Sequence, residues 1–360
     1  MTSPTNMTIS SQVKMENLLD PDADVTFGFW LNGVGIMLIG LMGIFGNMAS
    51  IRVLSHKQMR SSPNFILIAL ASSDLILIIT SILLFALTTI YPYNGCLKHY
   101  YFVTQPMLAG LTYPVAIIAQ TISVYMTFLI SFERYIAVCH PLKAKSFCTQ
   151  TRTKMSIFVI VFMSILYNIP KFFEINLNES QDEEFGKFYY VSASMLRTNK
   201  LYITIYINWL YFIFMNLIPL SSITIFNIRI YRQVQIVNRM RVKLTSKERQ
   251  DIKLTTMLFC VVIVFLCCNC LAVVTNIVET LHIHNDILTK TSNFFVTVNS
   301  SVNFIIYVVL VRKFRTIFIR EFSSLCGCHD GGMQRGKTRK FFRQLTFSSD
   351  NSETIMNETK

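Results

Sequence analysis

Long apolar runs alternate with short polar segments along most of the chain. The runs cover about residues 29–53, 64–90, 104–134, 155–173, 201–229, 253–279 and 288–311. Each run is long enough to cross roughly 30 Å of hydrocarbon at about 1.5 Å of helical rise per residue. Because backbone groups must be hydrogen-bonded internally in a bilayer, the pattern predicts an all-α membrane protein built as a bundle of seven transmembrane helices.

The two ends of the chain differ from this apolar region. Residues 1–28 form a polar, acidic tail without the apolar core of a cleavable signal peptide, so we expect the first span to act as a signal anchor. Residues 29–311 form the seven-helix domain. In residues 312–325, basic and apolar side chains alternate at helical spacing, which predicts an amphipathic helix on the inner membrane surface. Residues 326–360 are expected to form a flexible cytoplasmic tail.

The basic residues indicate which side of the membrane each segment faces. With the N-terminus outside, 26 of the 33 lysines and arginines lie in the three inner loops and the C-terminal tail. Cytoplasmic loops carry such an excess, so we predict a plasma-membrane protein with an extracellular N-terminus and a cytoplasmic C-terminus. The net charge of +13 then belongs to the cytoplasmic face. It suits anionic lipid and an intracellular partner, and it no longer supports binding to nucleic acid.

The nine cysteines are separated by this topology. Only Cys96 lies in an outer segment, so no intrachain disulfide is expected there. Cys326 and Cys328 follow the amphipathic segment and are placed for S-palmitoylation. A metal site is the alternative, but this segment offers too few ligands at zinc-site spacing. Sequons in the outer segments predict N-glycosylation of Asn6 and Asn178.

An acid and a base stand side by side at the cytoplasmic end of the third span, at Glu133 and Arg134. Such charges are costly unless paired, which favours a functional role; an ordinary interfacial charge pair is the alternative. The sequence Glu133-Arg134-Tyr135, with Val138 and Pro141-Leu142 after it, resembles the end of the third helix in rhodopsin-like (class A) G-protein-coupled receptors. The resemblance extends over about residues 29–325 and implies a receptor that couples to a heterotrimeric G protein.

Asp74 is the one carboxylate that we expect in the middle of the membrane. A buried carboxylate needs a counter-ion, a proton or polar neighbours. In the receptor family, matching positions form a polar core that binds sodium and couples the outer and inner halves. The residues at these positions are Asn47, Asp74, Ser123, Asn299 and Asn303. A hydrogen-bonded packing cluster without an ion is the alternative, and no other metal or cofactor is expected.

Local matches narrow the resemblance to invertebrate FMRFamide-type neuropeptide receptors. They are Ala119–Tyr125, Pro141–Cys148, Leu166–Glu174, Ile230–Val234 and Asn299–Asn303. Ala116 stands where an aminergic receptor has an Asp, so an amine ligand is not supported. Thr297 stands where an opsin has the Lys that binds retinal, so a retinal ligand is not supported either. The resemblance therefore implies an extracellular peptide ligand with an Arg-Phe-amide end.

The guanidinium of such a peptide is expected to meet an acid near the outer ends of the spans. Glu174 and Glu279 lie at the ends of the fourth and sixth spans, where partial exclusion of water strengthens an ion pair. Tyr113 and Gln120 are the candidates for further contacts with the peptide. A solvated loop acid or an ordinary core side chain is the alternative for each of these residues.

At the inner end, the resemblance implies a switch centred on Arg134. An alignment on the sixth-span aromatic and cysteine places Asp251 where an acid commonly holds that arginine in the closed state. The switch residues are Glu133, Arg134, Tyr135, Asp251 and Tyr307. The positions expected to repack on activation are Val124, Pro219 and Phe265.

Several hallmarks of the family are missing. The outer disulfide cannot form, Asn269 replaces the usual Trp of the sixth helix, and Phe304 replaces the Pro of the last-helix motif. Asn227 stands where a fifth-helix Tyr often joins the active-state network. These departures question the details of the switch and the rigidity of the outer loop, but not the seven-helix fold.

A membrane transporter is the alternative function. It would predict internal repeats and broken helices paired between halves, which the sequence does not show. An enzyme is not expected, because the chain has no HExxH on a span, no GxSxG and a single mid-membrane acid. The expected partners are a peptide, a G protein, membrane lipids along the polybasic Arg335–Arg343, and an arrestin-like protein after phosphorylation of the tail.

Overall fold

The computed structural model describes residues 23–182, 186–240, 246–280 and 285–325. Seven of its helices are long and apolar enough to cross a membrane. Their spans are Ala23–Leu54 (α1), Ser62–Asn94 (α2), Tyr100–Cys139 (α3), Gln150–Phe173 (α4), Lys200–Ile236 (α5), Phe259–Val278 (α6) and Asp286–Leu310 (α7). Helix α5 continues to Met240, and α6 occupies Ser246–Thr280. The predicted seven-helix bundle is confirmed.

Local sequence signals explain where several helices begin and end. Thr149 caps α4 through a hydrogen bond that its hydroxyl accepts from the Arg152 amide at 3.5 Å. Asn285 caps α7, where its Oδ1 accepts from the Leu288 amide at 2.9 Å. These side chains satisfy donors that a helix start leaves without partners. Helix α2 ends at Gly95, whose φ of 75° is left-handed and favours glycine.

Apolar side chains cover the outward faces as well as the interior. On α1, Leu38, Leu41 and Phe45 follow helical spacing and are all exposed. On α4, Phe158 and Phe162 are exposed in the same way. An exposed apolar stripe is what a helix facing lipid presents, so the outward surface agrees with a multi-pass membrane protein.

The outer halves of four helices contain wide π-helical turns. They are Phe29–Ile36, Ile82–Ala86, Tyr100–Thr104, Ile203–Leu210 and Phe212–Leu217. The last of these ends two residues before Pro219, which has no amide hydrogen for the regular i→i−4 bond. Such turns often mark functional segments of helices. In the described residues the opposite halves of these helices are regular α-helix by comparison.

The loop between α4 and α5 contains a β-hairpin that was not predicted. Strand β1, Ile175–Asp182, pairs antiparallel with β2, Gly186–Ala193. The register places Ile175 opposite Ala193 and Asn178 opposite Tyr190. Gly186 has a φ of 71°, which glycine adopts without strain.

The chain divides into two compact units, residues 1–314 and 315–360. Helix α8, Arg312–Leu325, has the bounds predicted for the amphipathic segment. Its place on a membrane surface stays a prediction, as does the division of the chain at residues 28 and 311. Asn6, Cys326 and Cys328 lie outside the described residues.

Candidate functional site: outer cavity, polar core and inner end

A cavity of about 220 Å³ lies among the outer halves of α2, α3, α5, α6 and α7. Tyr113 and Gln120, two of the predicted peptide contacts, line it. Most of the remaining wall is apolar, and its neutral polar side chains include Ser81, Thr275, Thr289, Ser292 and Asn293. Lys171 and Arg197 also line the cavity, and none of its described lining residues carries a carboxylate. The cavity therefore combines neutral hydrogen-bonding groups with two cations.

Glu174 holds the cations at one side of this cavity. Its side chain is only 2% exposed, and its Oε1 accepts hydrogen bonds from Lys171 Nζ at 2.8 Å and from the Tyr202 hydroxyl at 2.7 Å. Arg197 Nη1 lies 3.9 Å from Oε2. The charge of Glu174 is thus compensated within the protein. A peptide guanidinium would reach this carboxylate only by displacing its partners, so the direct contact stays a prediction.

The same segment anchors the hairpin to the bundle. The Ser194 amide donates to the Glu174 carbonyl at 2.9 Å, and its hydroxyl donates to the Phe173 carbonyl at 2.6 Å. The ring of Phe188 packs edge-on against that of Phe102 at the start of α3, with centroids 6.1 Å apart. Cys96 is exposed and its thiol is free. In the described chain, non-covalent contacts hold the outer loop.

Two further predicted sites, Glu279 and Asn178, belong to the outer segments. The side chain of Glu279 lies outside the described residues, so its contact with a peptide stays a prediction. Asn178 is half-buried in β1, where its Nδ2 donates to Ser192 Oγ of β2 at 2.7 Å. Glycosylation of this asparagine also stays a prediction.

The polar core forms around Asp74, which is fully buried. Ser123 Oγ donates to Asp74 Oδ1 at 2.7 Å, and Asn303 Nδ2 donates to Oδ2 at 2.8 Å. Asn47 Nδ2 donates to the Ser300 carbonyl at 2.9 Å, so α1 joins the cluster through α7. The structure therefore brings together four of the five predicted residues. Asn299, the fifth, is half-buried and is not among the side chains that contact Asp74 in the described chain.

The oxygen atoms of this core fit a small hard cation. Asn47 Oδ1 is buried without a hydrogen-bond partner in the described chain, and the hydroxyl of Ser300 lies beside the Asp74 carboxylate. Buried polar atoms are normally satisfied, so an unsatisfied oxygen in a core that also holds a carboxylate suits an ion or a water. Among the described residues, no group of three or more His, Cys, Asp or Glu side chains is placed to hold a metal ion.

An apolar cluster lies between the outer cavity and the inner end. It contains Val124 and Phe265 together with Met215, Ile223 and Val262. Two of the three predicted repacking residues therefore touch the same cluster. Pro219, the third, is buried on α5 between Met215 and Ile223, one helical turn from each. The cluster joins α3, α5 and α6 at the depth where a change in the cavity could be passed inward.

At the inner end, Glu133 is buried between three helices. Its Oε1 accepts a hydrogen bond from Ser62 Oγ of α2 at 3.1 Å and another from Thr153 Oγ1 of α4. The two hydroxyls also contact each other. Oε2 is buried and has no hydrogen-bond partner in the part of the chain that the structure describes. Glu133 thus ties α3 to α2 and α4 through hydroxyl groups.

The other predicted switch residues surround this point. Tyr135 stacks on Phe226 of α5, with ring centroids 5.2 Å apart, and its hydroxyl lies 3.2 Å from His140 Nε2. The backbone of Asp251 lies in α6, but its side chain is outside the described residues. The predicted contact between Arg134 and Asp251 therefore stays a prediction.

Tyr307 and Phe304 pack the inner part of α7 against its neighbours. Tyr307 is buried, and its ring meets Phe314 edge-on at 5.7 Å. Phe304, which stands where the family has proline, packs against Gly46 of α1. A Cβ at Gly46 would lie 2.8 Å from Phe304 Cβ, and one at Gly43 would lie 2.2 Å from Ser301 Oγ. Glycine is needed at both positions for α1 and α7 to approach this closely.

The arrangement of spans, core and inner end agrees with a comparison of sequences. Residues 46–307 match the family model described as 7 transmembrane receptor (rhodopsin family). The chain belongs to this family. The match covers the polar core from Asn47 and the inner end from Glu133 to Tyr307. Seven transmembrane helices in this family identify a multi-pass membrane receptor, not a transporter fold.

Relatives within the rhodopsin family include peptide receptors of invertebrates. The chain is 47% identical over 298 residues to the FMRFamide receptor of Drosophila melanogaster, covering 82% of this chain and 54% of that receptor. It is 30% identical over 300 residues to an FMRFamide peptide receptor of Caenorhabditis elegans, covering 80% and 68%. It is 28% identical to the sex peptide receptor of Drosophila melanogaster, covering 82% and 73%. The chain thus spans about half the length of the Drosophila FMRFamide receptor.

Several residues that complete these sites were not found from the sequence. They are Lys171 and Tyr202 beside Glu174, Ser62 and Thr153 beside Glu133, and Ser300 beside Asp74. Lysine near a membrane surface and hydroxyls in a span are common, so their types carried little signal. A buried Glu three residues after a Lys was the one local sign, because such spacing places the two on one side of a helical turn.

Proposed function

We propose that the protein is a G-protein-coupled receptor for an extracellular FMRFamide-like (Arg-Phe-amide) neuropeptide. It catalyses no reaction and passes a conformational change to a heterotrimeric G protein. The observation that carries this proposal is the 47% identity over 298 residues to the Drosophila FMRFamide receptor. We also propose that the receptor lies in the plasma membrane with its N-terminus outside, as the distribution of basic residues favours.

The lining of the outer cavity supports an amidated ligand. A carboxamide both donates and accepts hydrogen bonds and carries no charge, which matches side chains such as Gln120, Ser292 and Asn293. Tyr113 and Tyr211 offer aromatic surface to a phenylalanine ring. Ala116 lines the cavity at the position where an aminergic receptor has an aspartate, so no carboxylate is present there to pair with an amine ligand.

Nucleotide exchange on added G protein tests this function. Membranes from cells that express the receptor are treated with Phe-Met-Arg-Phe-amide, and uptake of a non-hydrolysable GTP analogue is measured. We expect saturable, peptide-dependent exchange that membranes without the receptor do not show. No exchange with a panel of Arg-Phe-amide peptides and G proteins, at verified surface expression, would contradict the proposal.

Glu279 is proposed to meet the arginine of the peptide at the outer end of α6. Charge reversal in Glu279→Lys is expected to reduce the potency of an Arg-Phe-amide peptide more than tenfold, about the effect of losing one partly desolvated ion pair. A peptide with uncharged citrulline in place of arginine should lose much less potency between the wild type and Glu279→Lys. Unchanged potency of the charged peptide on this variant would remove Glu279 from the site.

Asp251 is proposed to hold Arg134 in the closed state at the inner end. Removing one partner of such a pair leaves a charge uncompensated, at a cost on the order of 3–5 kcal/mol, and shifts the population toward the open form. We therefore expect raised basal signalling in Asp251→Ala. A variant without raised activity at equal surface expression would count against the pair.

Sodium is proposed as an allosteric ion of the polar core, held by oxygens of Asp74, Ser123 and Asn47. Because the ion would favour one conformation, exchanging sodium for a bulky organic cation should change the agonist affinity of the wild type. Asp74→Asn should remove this sensitivity. If agonist affinity depended on sodium equally in the wild type and in Asp74→Asn, the ion would not bind at Asp74, and the core would be a hydrogen-bonded cluster without an ion.

The remaining partners and modifications are proposals on sequence grounds. They are N-glycosylation at Asn6 and Asn178, palmitoylation at Cys326 and Cys328, lipid contacts of the basic tail, and recruitment of an arrestin-like protein after phosphorylation of the tail. Each is testable by mass spectrometry or recruitment assays on the expressed receptor.

A further inference from the structure

The wall of the outer cavity carries an excess of positive charge. Lys171 and Arg197 line the cavity, while Glu174, which lies between them, does not. One carboxylate thus faces two cations, and the described lining contributes no further acid. The excess is one positive charge beside a space open to a ligand.

The two cations differ in how firmly Glu174 holds them. Lys171 is buried, its Nζ lies 2.8 Å from Glu174 Oε1, and it sits 5.3 Å from the centroid of the Tyr206 ring. Arg197 comes no closer than 3.9 Å to the carboxylate, which is longer than a hydrogen bond, and its side chain is 41% exposed. Lys171 Nζ already donates one hydrogen bond to Glu174, whereas Arg197 lies beyond hydrogen-bond distance of that carboxylate and can offer its guanidinium N–H donors to a ligand.

We propose that Arg197, with Lys171 behind it, binds a carboxylate of the peptide ligand, supplied by an Asp or Glu side chain on the N-terminal side of the Arg-Phe-amide end. This inference rests on the proposed function and specifies the ligand class further. A guanidinium and a carboxylate form paired, charge-assisted hydrogen bonds, which are stronger where water is partly excluded.

The position of Arg197 explains why the acid belongs upstream in the peptide. Arg197 follows the hairpin and precedes α5, so it belongs to the mouth of the cavity. Gln120 lies about one helical turn further along α3 from Ala116, deeper in the bundle, and suits the neutral amide end. The peptide's own arginine would be repelled by Lys171 and Arg197, and so must approach from another side.

A comparison of two peptides on four receptors tests this site. The peptides are Asp-Phe-Met-Arg-Phe-amide and Asn-Phe-Met-Arg-Phe-amide, which differ in one charge at nearly constant shape. The receptors are the wild type, Arg197→Gln, Arg197→Lys and the control Lys187→Gln. Lys187 is a comparable outer-loop cation that pairs with Glu179 on the exposed hairpin and does not line the cavity. Surface expression is matched by antibody labelling, and potency is read from G-protein activation.

On the wild type and on Lys187→Gln, the Asp peptide should be about tenfold more potent than the Asn peptide, the size of one partly desolvated ion pair. Arg197→Gln should bring the two potencies together by weakening only the Asp peptide. Arg197→Lys should retain part of the preference. Equal potencies on the wild type, or an equal loss for both peptides in Arg197→Gln, would overturn the inference while leaving the proposed function standing.

A third peptide separates the two sources of a carboxylate. The contrary result is that Phe-Met-Arg-Phe with a free C-terminal carboxylate activates the wild type better than its amide does and loses this advantage in Arg197→Gln. That result would show that Arg197 binds the C-terminal carboxylate, and it would overturn the assignment to an Asp or Glu side chain. No response of the wild type to any of the amidated peptides would instead contradict the proposed function itself.

Discussion

Two buried glutamates at opposite ends of the bundle are held in different ways. At the outer end, Glu174 accepts hydrogen bonds from a buried ammonium and a tyrosine hydroxyl. At the inner end, Glu133 accepts hydrogen bonds from the hydroxyls of Ser62 and Thr153. Losing a partner from a buried ion pair leaves an uncompensated charge, whereas losing one hydroxyl removes only one neutral donor.

The difference indicates different tasks for the two ends. The outer glutamate holds together a loop that has no disulfide, and it does so with contacts that are expensive to break. The inner glutamate joins three helices with hydrogen bonds of modest net energy, which an activating movement can exchange for others. Three variants measure this contrast, from the largest expected effect to the smallest.

Glu174→Gln should have the largest effect, since it leaves the buried Lys171 without its counter-ion. We expect a loss of stability on the order of 3–5 kcal/mol and poor surface expression. Thermal unfolding of the detergent-solubilised receptor measures the stability, and flow cytometry measures the surface expression. The matched control is Glu179→Gln in the same loop, where the pair with Lys187 is exposed and its loss should not change the melting temperature measurably. Similar behaviour of the two variants would contradict a structural role for Glu174.

Thr153→Val should have an intermediate effect at the inner end. It removes one hydroxyl donor to Glu133, worth about 1 kcal/mol, and so should raise the open fraction and basal signalling by about fivefold. Thr127→Val is the control, because Thr127 is buried in α3 but donates to the Ser123 carbonyl of its own helix. Basal activity that rises equally in both variants would show that the Glu133 cluster does not restrain the closed state.

The smallest effect is expected at Cys148, which lies beside the inner cluster and outside the spans. Burial raises the pKa of this thiol, and the negative charge of Glu133 raises it further. A higher pKa means that less thiolate is present at a given pH. The alkylation rate should therefore still rise with pH above about 8.5, the ordinary pKa of a cysteine. Site-resolved mass spectrometry after maleimide treatment measures the rate.

Glu133→Gln should speed the reaction of Cys148 modestly, because it removes the second cause of the shift but not the burial. A rate that levels off below about pH 8 in the wild type would contradict the raised pKa. A rate unchanged by Glu133→Gln would show that the carboxylate is too distant or too well screened to act on this thiol.

The fold could be predicted almost completely from the sequence because each apolar run specifies a helix by itself. The predicted runs at 64–90 and 104–134 fall short of Ser62–Asn94 and Tyr100–Cys139, since helices extend past the hydrocarbon into interfacial residues that a hydropathy pattern does not mark. The β-hairpin was missed because its first strand, Ile175–Asp182, is mostly polar. Alternation in Gly186–Ala193, with Phe188 and Tyr190 on one face, was the usable signal.

The candidate sites could be predicted only where a family pattern marked them. Asp74, Ser123 and Asn303 meet as expected, because their positions were read from matching spacings on three helices. The partners of Glu174 and Glu133 could not be found in this way. They depend on which faces of neighbouring helices meet, and that is decided by packing between residues far apart in sequence.

The two glycines of α1 have a mechanical consequence. At Gly46 and Gly43 the backbone of α1 lies against the side chains of Phe304 and Ser301, so no α1 side chain separates the two helices there. Such close packing resists sliding of one helix past the other. We therefore expect a tilt of α7 at this level to displace α1 in the same direction.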